Sequence, residues 1–148
     1  MNKRQEIIQY LINELKELQS IKGAGTDAGL QVFDGFTKVI PDDLESYLVV
    51  QDTECAIDAV HDRMWEMSVA VDVFLIDYHI VNVQALRGVI QDLWETVGIA
   101  YEKMKVISGG LRLIPRSDGI LMNEQEVLTI GCVVRFEVTY KEVGWYSE

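Results

Sequence analysis

Two histidines and the carboxylates beside them are the first residues in this sequence whose types suggest chemistry. If residues 58–62 were helical, Asp58, His61 and Asp62 would share a face, and Asp77 with His79 repeats the carboxylate–imidazole pairing further on. Both groups bind zinc and related ions, but a site takes three or four ligands backed by supporting hydrogen bonds. Nothing else marks these positions, and they read as a solvated acidic segment. Gly23-x-Gly25 with Gly29 offers backbone N–H groups of the kind that cradle phosphate. That motif needs a strand before it, a helix after it and, for nucleoside triphosphates, a Lys-Ser/Thr pair. Here a helical pattern comes first, so the glycines read as a flexible connection. Neither Cys55 nor any serine sits in a nucleophile context, and paired carboxylates are too common in an acidic chain to discriminate. No catalytic, cofactor-binding or metal-ligating set emerges, and the expectation is a protein that is not an enzyme.

The chain has 148 residues, which suits a single domain over 1–148 with a real core. A hydrophobic share of 49% with only two prolines excludes a disordered or low-complexity chain. The formal charge is −11, with 24 acidic and 13 basic side chains. Such a balance disfavours binding to phosphate backbones or to anionic membrane surfaces. Cys55 and Cys132 form no CxxC pair, and a reducing compartment is the simpler setting. The first residues, MNKRQEIIQYLINEL, lack the continuous apolar run of a signal peptide, and no stretch approaches the ~20 apolar residues that span a bilayer. A soluble protein is expected.

The elements that would position any site follow from periodicity. Ile7, Ile8, Leu11, Ile12, Leu15 and Leu18 predict an amphipathic helix over 3–19, capped by Asn2 and stopped at Lys22-Gly23. The glycine-rich stretch 22–35 predicts a loop ending in a short strand at Leu30–Phe33, with a further strand at Phe36–Ile40. Tyr47–Val50 and Cys55–Val60 are two weak strand candidates. Trp65, Met67, Val69, Val71, Val73 and Leu75 alternate as a strand does, and the opposite face turns apolar at Phe74 and Ile76. A second helix is predicted from Asn82 to Gly98, then short strands at Lys103–Ile107 and Leu111–Ile114 and a turn at Ser117-Asp118-Gly119. The last strand, 126–141, carries Leu128, Ile130, Cys132, Val134, Phe136, Val138 and Tyr140 on one face. Unbroken, it would reach roughly 50 Å. Either it bends, with Gly131 the obvious place for a bulge, or part of it meets another subunit. The order of elements predicts an α+β fold, two amphipathic helices packed on a mostly antiparallel sheet.

Two groups of residues stand out as surfaces. Phe74 and Ile76 suggest a strand end covered on both sides, by a helix or by a neighbouring subunit. Trp145 and Tyr146 follow Gly144 in a short tail and would pack on their own domain or on a neighbour. The run 41–62 holds Asp42, Asp43, Glu45, Asp52, Glu54, Asp58 and Asp62 with no Lys or Arg. It reads as a solvated surface.

Over nearly its whole length the chain resembles the tail-terminator, or tail-completion, proteins of long-tailed phages and phage tail-like particles. The resemblance rests on the helix Ile7–Leu18, the glycine-rich loop with Val39-Ile40-Pro41 and the acidic segment. It continues through the strand 63–73, the helix Val83–Val97 and the closing strand 133–140 with its terminal Tyr140. The resemblance implies an α+β subunit that forms a ring, usually a hexamer, on the head-proximal end of the tail tube. Such a ring stops tube polymerisation and offers the surface that joins the head connector. The resemblance implies either an acidic lumen lined by the run 41–62, which DNA would pass without sticking, or a solvated outer surface. The implied partners are further copies of the chain, the tail tube protein and the head connector or completion protein. The implied location is the virion tail after assembly in the host cytoplasm. A head-completion or connector adaptor is the nearest alternative, and a small cytosolic enzyme or ligand-binding α+β domain is the alternative of a different class.

Overall fold

In the computed structural model, which describes residues 2–37, 40–41, 43–80, 82–123 and 128–144, the predicted alternation becomes one five-stranded sheet with two helices. The elements in order are α1 (Lys3–Leu15), β1 (Val32–Asp34), β2 (Ser46–His61), β3 (Met64–Asp77), α2 (Val83–Met104), β4 (Arg112–Asn123) and β5 (Leu128–Val143). The sheet order is β1-β2-β3-β5-β4; only the β1–β2 pair is parallel. The fold is α+β and mostly antiparallel, as the sequence predicts.

Cross-strand register explains the core. Leu48, Leu75, Cys132 and Ile120 lie level with one another, as do Val50, Val73 and Val134, and Cys55, Val69, Val138 and Leu113. These rows share the face that receives Ile7, Leu11 and Leu15 of α1 and Leu86, Val89, Leu93, Val97 and Met104 of α2, in one buried cluster. Each side chain so buried contributes about 1.5–3 kcal/mol relative to exposure.

Capping follows the sequence. Asn2 accepts from the Gln5 N–H at 2.8 Å, and Asn82 accepts from the Ala85 N–H at 2.7 Å. The stops do not. The first helix ends at Leu15, and Lys22-Gly23 instead closes a separate 3-10 turn, Ser20–Lys22. The glycine-rich segment then folds back on α1. Gly29 donates to the Leu18 carbonyl at 2.9 Å, and a Cβ there would stand 2.6 Å from the carbonyl oxygens of Leu15 and Leu18. A structural close approach, not a phosphate cradle, accounts for this glycine.

The second helix runs through Gly98 to Met104 because Val97, Ala100 and Met104 keep its apolar stripe on the core. That burial outweighs the ~1 kcal/mol cost of a helical glycine. The strand predicted at Lys103–Ile107 is therefore absent: Lys103 and Met104 are helical, and 105–107 is a turn. Phe36-Thr37 and Ile40 are not strand either, and Lys38 and Val39 lie outside the described residues.

The two weak candidates at 47–50 and 55–60 fuse into the single strand β2, whose register shifts at Asp52/Glu54 and Ile57/Ala59. Ser117-Asp118-Gly119 is not a turn but part of β4, beside a register shift at Pro115/Ser117. The last strand bends where expected. Its register against β4 shifts between Gly131 and Thr129, and a Cβ on Gly131 would meet the Leu75 carbonyl oxygen at 1.8 Å.

Candidate functional site

The sheet has one helix-covered face and one face without helices, and each candidate residue takes its meaning from where it falls on them. On the helix-covered side lie the thiols. Cys55 is level with Val69 and Cys132 with Leu75, six residues apart along β3. That is about 20 Å, far beyond disulfide reach, and both cysteines are free. Burial pushes the Cys132 thiol up from its ordinary 9.0 to about 12, so it stays a neutral hydrophobe. Cys55 Sγ is 3.5 Å from the Tyr140 hydroxyl. Burial first, and then that contact, raise the Tyr140 phenol well above its ordinary range. Beside them, Arg4 Nε donates to Asp52 at 2.6 Å, so this member of the acidic run is half-buried and paired.

The histidines part company. His61 ends β2, and Asp62 takes a left-handed φ of 58° in the two-residue reversal into β3. Asp58 accepts from Ser68 Oγ instead of turning toward His61. His79 sits between two carboxylates: Nε2 is 2.8 Å from Glu45 and Nδ1 is 3.3 Å from the buried Asp77. Asp77 also accepts from Thr26 Oγ1 at 2.6 Å, and Ser20 Oγ donates to Asp27. The Thr26 and Ser20 hydroxyls are thus committed to carboxylates, and the cluster ties the 24–30 loop to the end of β3. Sequence reasoning missed this cluster because Thr26 and Glu45 stand far from His79 along the chain. Among the described residues, no three His, Cys, Asp or Glu are grouped to hold a metal ion.

On the helix-free face, ion pairs run across the strands. Arg135 lies 3.6 Å from Asp72, Arg116 lies 2.8 Å from Glu137, and Lys141 lies 4.0 Å from Glu66. The last of these pairs borders an open hollow of about 460 Å³ lined by Asp58, Glu66, Arg112, Thr139, Tyr140 and Lys141, among others. Both acidic and basic side chains line it.

The apolar end of this face is covered by the chain itself. Phe36 lies edge-on to Phe74 with centroids 5.0 Å apart, and Phe33 lies 6.1 Å from Tyr47. Ile76 is only 7% exposed, and Phe74 is half-buried. Ile76 is thus covered within the chain, and Phe36 covers Phe74 in part. Trp145 and Tyr146 lie outside the described residues, as does Asp42. Asp43 and Glu45 are exposed at one end of β2, and Asp58 and Asp62 at the other, so the acidic run is spread along a 16-residue strand.

Exposed apolar side chains are spread over the surface, Ile21, Leu30, Phe36 and Val106 among them, and one group of them lies at the far tip. Ile57 is 50% and Val60 52% exposed, with Met64 and Val143 beside them at the ends of β3 and β5. β1 pairs only with Leu48–Val50. Beyond that pairing, among the described residues, the outer edge of β2 has no partner strand, and neither has the outer edge of β4. No helix among the described residues is long and apolar enough to cross a membrane. No protein-family model matches the chain, and no match is found among curated proteins.

Proposed function

We propose that this protein is a tail-terminator-like assembly subunit, which closes into a ring on the head-proximal end of a phage tail tube, stops its growth and presents the surface that joins the head. The observation that carries the reading is the unpartnered far end of the sheet. Ile57, Val60 and Met64 of the β2–β3 hairpin and Val143 of β5 are all exposed at this end, the first two on one sheet face and the last two on the other, with unpaired strand edges among the described residues on either side of the sheet. Exposed apolar groups on long strands are a cost that a solitary domain avoids. The sequence resemblance supports the same reading, and the core, complete without a partner, fits a monomer that assembles reversibly. The ring is hexameric on this reading, with the tube protein and the head connector as its partners.

Light scattering across a concentration series, with negative-stain imaging of the protein mixed with tail tubes, tests this. Rings at high concentration, or caps on tube ends, are expected. Monomers alone up to millimolar concentration, with tubes left uncapped and still growing, would overturn the proposal.

A further inference from the structure

We infer that neighbouring copies join edge to edge, the free edge of β2 in one copy pairing antiparallel with the free edge of β4 in the next. This rests on the ring-forming reading above and names its contact. The first argument is direction. Each of the pairs β2–β3, β3–β5 and β5–β4 is antiparallel, so β4 runs opposite to β2. A rotation axis along the strands leaves those directions unchanged, and the join between copies then continues the antiparallel alternation. Two different edges meet at every join, which is the head-to-tail contact that closes rings.

The second argument is charge. Residues 51–62 on β2 and its turn carry Asp52, Glu54, Asp58 and Asp62 and no Lys or Arg, whereas β4 carries Arg112 and Arg116 against Asp118 alone. Register places the complement. Arg112 is level with Thr139, Thr139 with Ser68, and Ser68 with Ala56. With the strands running along the ring axis, Arg112 of one copy meets Ala56 of the next, between its Glu54 and Asp58. Arg112 and Glu54 are both exposed, and neither makes an ion pair within the chain among the described residues.

The third argument is a limit. The shift at Asp52/Glu54 on β2, and Pro115 with the Arg116 bulge on β4, interrupt both edges and keep the paired stretch short. Such a contact is weak between free copies and strengthens when a tube end holds several copies together.

Sedimentation of R112E, E54K and the R112E/E54K double variant tests the contact, together with amide hydrogen exchange of the wild-type protein below and above its association concentration. Each single reversal is expected to weaken self-association by about tenfold or more. The double variant should recover it, and amides of 53–56 and 112–114 should gain protection on association. If the wild type associates while the reversals change nothing and these amides exchange as in the monomer, the edge contact is wrong and the ring reading survives. A wild type that never associates, alone or on tubes, overturns both.

Discussion

At Gly131 the chain tolerates no side chain, because the space a Cβ would fill is held by the backbone of β3. Gly131→Ala must push β3 and β5 apart. We expect a loss of more than about 3 kcal/mol in urea unfolding, the range of overpacking against an unyielding neighbour. Asn2→Ala should cost only about 1 kcal/mol, the ordinary value of a helix cap. Protons are held as tightly as backbone at Cys132 and Tyr140. Burial raises both groups above their ordinary values, the thiol to about 12. The unfolded chain therefore releases these protons first as pH rises. The stability they confer is full below about pH 9 and is lost toward pH 12. The urea midpoint should fall as pH rises from about 9 toward about 12, and Cys132→Val should lessen the fall. A midpoint that holds steady over that interval would refute the assignment. Gly131 was legible in the sequence because it interrupts an apolar strand at a fixed point. Gly29 was not, since the carbonyls that exclude its side chain belong to a helix end more than ten residues earlier.

At the scale of elements, β3 and β5 were readable because their two faces meet different surroundings, which stamps period two on the sequence. The long β2 was harder to read: its bulges break the period, and its far half has no core to face. The same reasoning explains why Gly98 and Ser117-Asp118-Gly119 misled. Both carry local stop signals that packing overrides, by the apolar stripe of α2 in one case and by pairing with β5 in the other. The exposed half of the β2–β3 hairpin gives a clean separation of folding from assembly. Ile57→Lys with Val60→Lys should move thermal unfolding little, within about 0.5 kcal/mol, as surface changes do. The same pair should abolish capping of tail tubes in a growth assay. Unfolding of the double variant would place these residues in the core instead. No residue type announced this surface in advance; only the exposure of these side chains in the folded chain reveals it.

For the molecule as a whole, charge decides what passes by without binding. The net charge of −11 disfavours contact with the phosphates of duplex DNA. The helix-free face nearly balances its own charges through Arg135–Asp72, Arg116–Glu137 and Lys141–Glu66. Titration at physiological salt should detect no DNA binding tighter than about 10⁻⁴ M, and a micromolar constant would contradict this. The order of the strands carries a further consequence, one that concerns time. The strand that comes last in the chain, β5, lies inside the sheet, between β3 and β4. During synthesis α1, the β2–β3 hairpin and α2 must all wait for it. Until it arrives, Phe136 is missing from the core, and Lys3 lacks the Lys141 carbonyl that anchors the first turn of α1. Folding is then dominated by distant pairings, which take milliseconds to seconds. Throughout that wait the nascent chain displays two apolar strands open to the wrong partner. The step most exposed to error in the life of this protein comes before any tube is met, in the interval before its last strand slides into the gap left for it.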